Sequence, residues 1–277
     1  MRSDFDRVPI VTTATANRTA EHDVLLHAEA ISKRFGGVQA LKDVSFAIGR
    51  REVVGLIGPN GSGKSTCVNL LSGLLPVSGG QVRFKGDVIT GHPIYDVVAR
   101  GLARTFQATQ VFPEYTARQN VLIGCHSLFK AGALGAISRA AHAVNEHHEM
   151  TAQADEVLDF VGLGARKDQI ATTLSAAEQR LLMIAVALAA KPDLVLLDEP
   201  AAGMVAGERR ALARIIRDLP QRGTSALVIE HHMGLIMEVC DRIVVLNFGE
   251  KIAEGTPAEI RANQTVIDAY LGHRDHA

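Results

Sequence analysis

The stretch Val53-Val54-Gly55-Leu56-Ile57-Gly58-Pro59-Asn60-Gly61-Ser62-Gly63-Lys64-Ser65-Thr66 sets the fold. Residues 53–57 are continuously apolar, the pattern of a strand covered on both faces. Residues 58–65 then satisfy G-x-x-x-x-G-K-[ST], a loop that leads from a buried strand into a helix and wraps phosphate. Its glycines let successive backbone N–H groups turn inward on an anion without side-chain clash. In such a loop Lys64 reaches the β- and γ-phosphates, the Ser65 hydroxyl ligates Mg²⁺, and the following helix adds its positive end. Gly58, Pro59, Asn60, Gly61, Ser62, Gly63, Lys64, Ser65 and Thr66 are therefore the expected contacts of ATP.

Three further apolar runs read the same way: 194–197, 226–229 and 243–246. With helical stretches between them they predict a parallel sheet in an α/β fold. Residues 44–48 and 82–85 alternate instead, as half-buried strands do, and predict an antiparallel β region towards the N-terminus. Between about 108 and 190 the chain is Ala-rich and strand-poor, with helical segments such as 152–160. That pattern predicts an α-helical sub-domain inserted into the core. Thr256-Pro257-Ala258-Glu259 is a capping box with Pro at the first helical position, so a helix starts there. The expected organisation is a P-loop NTPase core over 24–277, preceded by a disordered leader over 1–23.

In Leu194-Val195-Leu196-Leu197-Asp198-Glu199-Pro200 the carboxylates emerge at the C-terminal end of a strand, where open α/β sheets bind ligands. Asp198 is placed to hold Mg²⁺ through water. Glu199 points differently and is the expected base for the attacking water. His231 follows the 226–229 run and Glu230. At that strand end it would hydrogen-bond the γ-phosphate and orient the water.

The balance of 29 Lys+Arg against 30 Asp+Glu lacks the basic excess of a nucleic-acid partner. Cys67, Cys125 and Cys240 are widely spaced and read as reduced thiols of a cytosolic protein. The longest apolar run, 181–190, is half of the roughly 20 residues a spanning helix needs, so membrane association would pass through a partner. Residues 1–23 carry Asp4, Asp6 and Arg7 and lack the apolar region of a signal peptide.

With these residues in place, the chain resembles the ABC ATPase family from about residue 24 onward. The family's motifs occur in order: phosphate loop, Arg104-Thr105-Phe106-Gln107, Leu174-Ser175-Ala176-Ala177-Glu178, the Asp198–Glu199 pair and His231. By that resemblance Phe35 stacks on adenine, and Gln107 touches Mg²⁺ and the attacking water while opening the helical sub-domain. Ser175 contacts the ATP of the opposite subunit. Within the family the chain is most similar to LivG-type subunits of branched-chain amino acid importers. The residues carrying this are Asp198-Glu199-Pro200-Ala201-Ala202-Gly203-Met204, Ile229-Glu230-His231, and the run from Ala253-Glu254-Gly255-Thr256-Pro257 to Tyr270-Leu271-Gly272.

The resemblance implies a second ATPase subunit (a LivF-type heterodimer, a homodimer being the alternative), two membrane permeases and, indirectly, a periplasmic solute-binding protein. It places the chain peripherally on the cytoplasmic face of a bacterial inner membrane. A soluble, non-transport ABC ATPase and an ATP-clamping regulatory module are the competing readings.

Two positions depart from the family pattern. The signature has Ala177 where the family has glycine, whose N–H closes on the partner's γ-phosphate. A methyl group there is expected to hold the backbone off or to forbid a positive φ. Val205 replaces an Asp common in the loop after Glu199. Both weaken what the chain offers a partner's ATP, and predict a dimer with unequal sites.

Overall fold

The structure, a computed structural model, describes residues 24–105, 111–125 and 140–271. The expected leader over 1–23 and the expected ligand Gln107 lie outside them. Strands β1 (Val24–Phe35) and β2 (Val38–Gly49) form a hairpin, and β3 (Val53–Ile57) leads through the glycine loop into α1 (Lys64–Leu71). Next come β4 (Gly79–Phe84), β5 (Asp87–Val88), α2 (Ile94–Ala99) and β6 (Leu102–Arg104). Helices α3 (Ala117–Cys125), α4 (Ala140–Phe160) and α5 (Ala176–Ala189) precede β7 (Leu194–Asp198). The chain closes through α6 (Ala206–Asp218), β8 (Ser225–Ile229), α7 (Met233–Val239), β9 (Arg242–Asn247), β10 (Glu250–Gly255), α8 (Pro257–Ala262) and α9 (Gln264–Leu271).

Two sheets result. The first is antiparallel, in the order β2-β1-β4-β5; the second has the order β10-β9-β3-β8-β7-β6, parallel except for β10. The apolar runs are continuous because both faces of the second sheet are covered. Val54, Leu56, Leu194, Leu196, Leu227 and Ile229 pack with α1 and the inner face of the antiparallel sheet. Val53, Ile57, Val195, Leu197, Ala226 and Val228 pack on the other side, against α5, α6 and α7. Fully burying one such aliphatic side chain stabilises the fold by about 1.5–3 kcal/mol, so the strands are pinned from both sides. Strands β1 and β10 are not announced by any of the runs named above. β10 is a largely exposed edge strand whose sequence, EKIAEG, is mostly polar.

Strands β6 and β7 are parallel neighbours, and the described elements between them are helical. Small residues set the helix spacing there: Ala117 of α3, Ala154 of α4, and Ala185 and Ala189 of α5 are all buried in one cluster. At the surface Asp155 accepts from Arg118 Nε at 2.7 Å and from Lys167 Nζ at 2.7 Å. The capping box at Thr256 forms as its pattern predicts: Glu259 Oε2 accepts from Thr256 N at 2.7 Å, and Thr256 Oγ1 from Glu259 N at 3.4 Å. Cys67, Cys125 and Cys240 are free and buried, and burial pushes the Cys67 and Cys240 thiols up to about 12.

Candidate nucleotide-binding site

Strand register brings the functional residues together. Leu56 of β3 lies opposite Ile229 of β8, and Ile229 lies opposite Asp198 of β7. The segments leaving these strands therefore share one edge of the sheet: Gly58 onward, Glu199 onward and Glu230 onward.

The glycine loop is held tightly from outside. Gly63 has φ +100°, and a Cβ there would lie 2.8 Å from the Ala40 carbonyl oxygen. Gly249, in the β9–β10 turn, donates to Ser62 O at 3.1 Å and accepts from Lys42 N at 2.8 Å, wedging the loop against β2. Lys64 Nζ donates to Gly58 O at 2.7 Å and Pro59 O at 2.9 Å. Burial lowers the Lys64 pKa, and the Glu199 carboxylate opposes that shift. Ser62 is 2% exposed, and its Oγ has no hydrogen-bond partner among the described residues. Gly63 caps α1 without a side-chain acceptor, so the first-turn N–H groups of that helix also face the loop. In front lies a cavity of about 580 Å³, lined by Asn60, Gly61, Gly63, Lys64, Ser65, Thr66, Glu199 and the β2 residues Val38, Gln39 and Ala40. The uncapped first turn of α1 and the Lys64 ammonium beside this cavity suit a polyphosphate.

Asp198 is 6% exposed, and its Oδ2 accepts from Arg104 Nη2 at 2.9 Å. Arg104 in turn donates through Nη1 to Asn69 Oδ1 at 2.7 Å and Ser72 Oγ at 3.2 Å, both next to the end of α1. Thr105 Oγ1 accepts from Asp198 N at 3.2 Å. The carboxylate expected only to face Mg²⁺ is thus also gripped from β6. Nothing in the sequence around Arg104, the last residue of β6, names its partner; its place ahead of Gln107 is the one available signal. Glu199 takes φ +49°, a backbone state costing about 1–2 kcal/mol for a side-chain-bearing residue, and its N–H bonds Ile229 O at 2.9 Å. Strain of this kind gathers at functional sites. His231 is exposed at the end of β8.

Other expected residues lie apart. Phe35 pairs across the β1–β2 hairpin with Val38 and is half-exposed, with Lys33 Nζ 5.1 Å from its ring centroid; Val38 rather than Phe35 lines the cavity. Ser175 is the N-cap of α5 and is exposed. Its Oγ accepts from Glu178 N at 3.2 Å, and Glu178 Oε2 accepts from Ser175 N at 2.8 Å. Glu178 of the signature is thus half of a capping box. Ala177 sits in the first turn of α5 and is absent from the positive-φ residues. The expectation that alanine there forbids a required positive φ is therefore corrected, because the position is right-handed helix. Only the bulk of the methyl group remains. Val205 is the exposed N-cap of α6 and offers no acceptor, so Glu208 Oε2 takes the Val205 N–H at 2.8 Å alone. Among the described residues no cluster of three His, Cys, Asp or Glu forms a metal cage.

A protein-family model described as ABC transporter matches residues 41–202, more than half of the chain. The chain belongs to the ABC transporter family. A second model, branched-chain amino acid ATP-binding cassette transporter, matches residues 250–276 of this ABC cassette. Relatives include the high-affinity branched-chain amino acid transport ATP-binding proteins LivG of Salmonella typhimurium and BraF of Pseudomonas aeruginosa. They are 37% and 36% identical over 90% of the cassette and 98% of their own lengths. A probable LivG of Archaeoglobus fulgidus is 32% identical over 91% of the chain and 96% of its own length. A nucleotide-free ATP-binding cassette superposes with a TM-score of 0.77 at 31% identity, covering 90% of this chain and 100% of its own. The ADP conformation of an ATP-binding cassette of an ABC transporter gives 0.77 at 32% identity, over 90% and 99%.

Proposed function

We propose that this ABC cassette is the ATP-hydrolysing subunit of an importer for branched-chain amino acids or related small polar solutes. The observation that carries this is the shared edge at which β3, β7 and β8 deliver the phosphate loop, Asp198–Glu199 and His231. The named relatives support the choice of solute class.

On this reading the loop N–H groups and Lys64 hold the phosphates of substrate ATP. Ser65, Asp198 and Gln107 are the residues that would hold Mg²⁺, which supplies charge neutralisation across the phosphate oxygens. Glu199 accepts the proton of the attacking water, and His231 orients that water on the γ-phosphate. Val38 and Phe35 lie on the hairpin that would receive the base.

A second ATPase completes the site. Ser175 and the first-turn N–H groups of α5 face the partner's ATP, with a LivF-type subunit as the preferred partner. The helices between β6 and β7 act as one sub-domain, hinged at Gln107, that passes closure to two permeases. A periplasmic binding protein delivers the solute, and the cassette works from the cytoplasmic face. The described helices include none long and apolar enough to cross a membrane.

Glu199→Gln tests this in the transporter assembled from the full chain, its permeases and the second ATPase. ATP turnover is expected to fall by about 10²–10⁴-fold with ATP affinity nearly unchanged. Unchanged turnover would remove Glu199 as the base. Equal losses from this variant and from the partner's equivalent would sink unequal sites. Failure to co-purify with permeases would return the soluble readings.

A further inference from the structure

Glu230, between β8 and His231, is a carboxylate that the reaction itself does not use. It is 1% exposed, and the ion-pair neighbour among the described residues is a histidine rather than a Lys or Arg. The ring of His231 lies near it, with Nδ1 3.9 Å from Glu230 Oε2 on a side chain that is 65% exposed. What satisfies the carboxylate is backbone. Oε1 accepts from Ala201 N at 2.7 Å; Oε2 accepts from His231 N at 3.2 Å and His232 N at 3.3 Å. Its two oxygens thus face two different loops. One follows Glu199 at the end of β7; the other carries His231 at the end of β8.

Burying an ionised carboxylate costs several kcal/mol unless its lone pairs are well used. A glutamine of the same shape would be cheaper to bury, but it can accept at one end only. Its NH₂ would meet an N–H at the other end, leaving donor against donor. A carboxylate is the side chain of this length that accepts at both ends at once, which is what the two loops require. The strand pairing itself ends on the bond from Glu199 N to Ile229 O at 2.9 Å, which ties the start of the Glu199 loop to the end of β8. Hydrolysis needs the base and the water-orienting group in one fixed relation, and small misplacements there cost large factors in rate.

We infer that Glu230 is a positioning residue that clamps the Glu199 loop to the His231 loop, setting the distance between the base and the γ-phosphate histidine. The inference rests on the reading of the chain as an ATP hydrolase. Glu230 acts through Glu199 and His231 and touches no substrate itself.

Glu230→Gln in the full assembled transporter is the test, with wild type run beside it. If wild type itself does not turn over ATP, the hydrolase reading fails; if it does, the outcome bears on Glu230. The expected result is a kcat lower by at least about tenfold, with ATP KM within about threefold, because the lost interaction belongs to the transition state. Adding Glu230→Gln to His231→Ala should then cost clearly less than the product of the two single losses, since part of the clamp acts through that histidine. A merely structural role predicts otherwise: a lower Tm with kcat per folded site unchanged, or a loss that multiplies fully with that of His231→Ala. Either outcome overturns the inference. Should Glu230→Gln fail to fold, Glu230→Asp keeps the charge and shortens the reach. It is expected to lower kcat with KM unmoved, and wild-type kcat in that variant overturns the clamp.

Discussion

The cassette has two faces that an ABC dimer would close over ATP, and they are built in opposite ways. The phosphate-loop face is tertiary: Gly58, Asp198 and Glu230 come from three strand ends, and each group is gripped by a residue far away in sequence. Arg104 holds Asp198 from β6, and Gly249 wedges Ser62 from the β9–β10 turn. The signature face is local. Ser175 is exposed, and its conformation is fixed by a capping box closed within four residues, 175–178. Around it lie surface ion pairs such as Arg166 Nε to Glu178 Oε1 at 3.5 Å. Removing a long-range grip of the first face should therefore cost stability and function together, whereas the second face should allow them to be separated.

The largest effect is expected at Arg104. Replacing it with Gln leaves the Asp198 carboxylate, 6% exposed, without its ion-pair partner. Removing one member of a buried pair costs about 3–5 kcal/mol, read as a lower denaturant midpoint with unchanged slope. A midpoint equal to wild type would show the pair to be dispensable and would break the contrast between the faces.

Lys64→Ala comes next. Its ammonium is held by loop carbonyls rather than by core contacts, so folding should survive. ATP affinity, measured by calorimetry, should fall by about a hundredfold, roughly 2.7 kcal/mol. Near-normal affinity would move the nucleotide away from this loop.

Ser175→Asp sharpens the difference most. Aspartate caps a helix about as well as serine, so Tm should stay within about 2 °C. Its charge would face the partner's γ-phosphate, and turnover of the assembled transporter should drop by about tenfold or more. A fall in Tm without a fall in turnover would make Ser175 only a cap.

How much of this was legible follows from the same contrast. The phosphate loop, the four buried runs and the Asp198–Glu199 pair announce themselves because adjacency in sequence carries their chemistry. The grips of Arg104 on Asp198 and of Glu230 on Ala201 N–H join residues 94 and 29 apart, which no local pattern encodes. Ser175-x-x-Glu178 was different: its S-x-x-E pattern was as readable as that of Thr256-x-x-Glu259. The same residues that match the family signature also mark the start of α5. Ala177, two places inside that capped helix, therefore needs no positive φ, and only the bulk of its methyl group is left of the expected effect.

The smallest effect should come from Asp155, which links α3 to the turn before the signature through Arg118 and Lys167. The hydrogen bond from Arg118, helped by Lys167 against partial burial, lowers the Asp155 pKa below the usual carboxylate range. The carboxylate's contribution is therefore present above the unfolded pKa and is lost as pH falls through the lower, folded value. With Asp155 27% exposed, solvent screening limits the loss in Asp155→Asn to about 0.5–1 kcal/mol at neutral pH. That gap between wild type and variant should narrow in acid and in high salt, as thermal unfolding across pH would record. ATP affinity of the isolated chain should not change, because nothing in this network touches the phosphate-loop face. A gap that held its size down to pH about 2 would mean that Asp155 acts by packing rather than charge, and the signature side would then be tertiary after all.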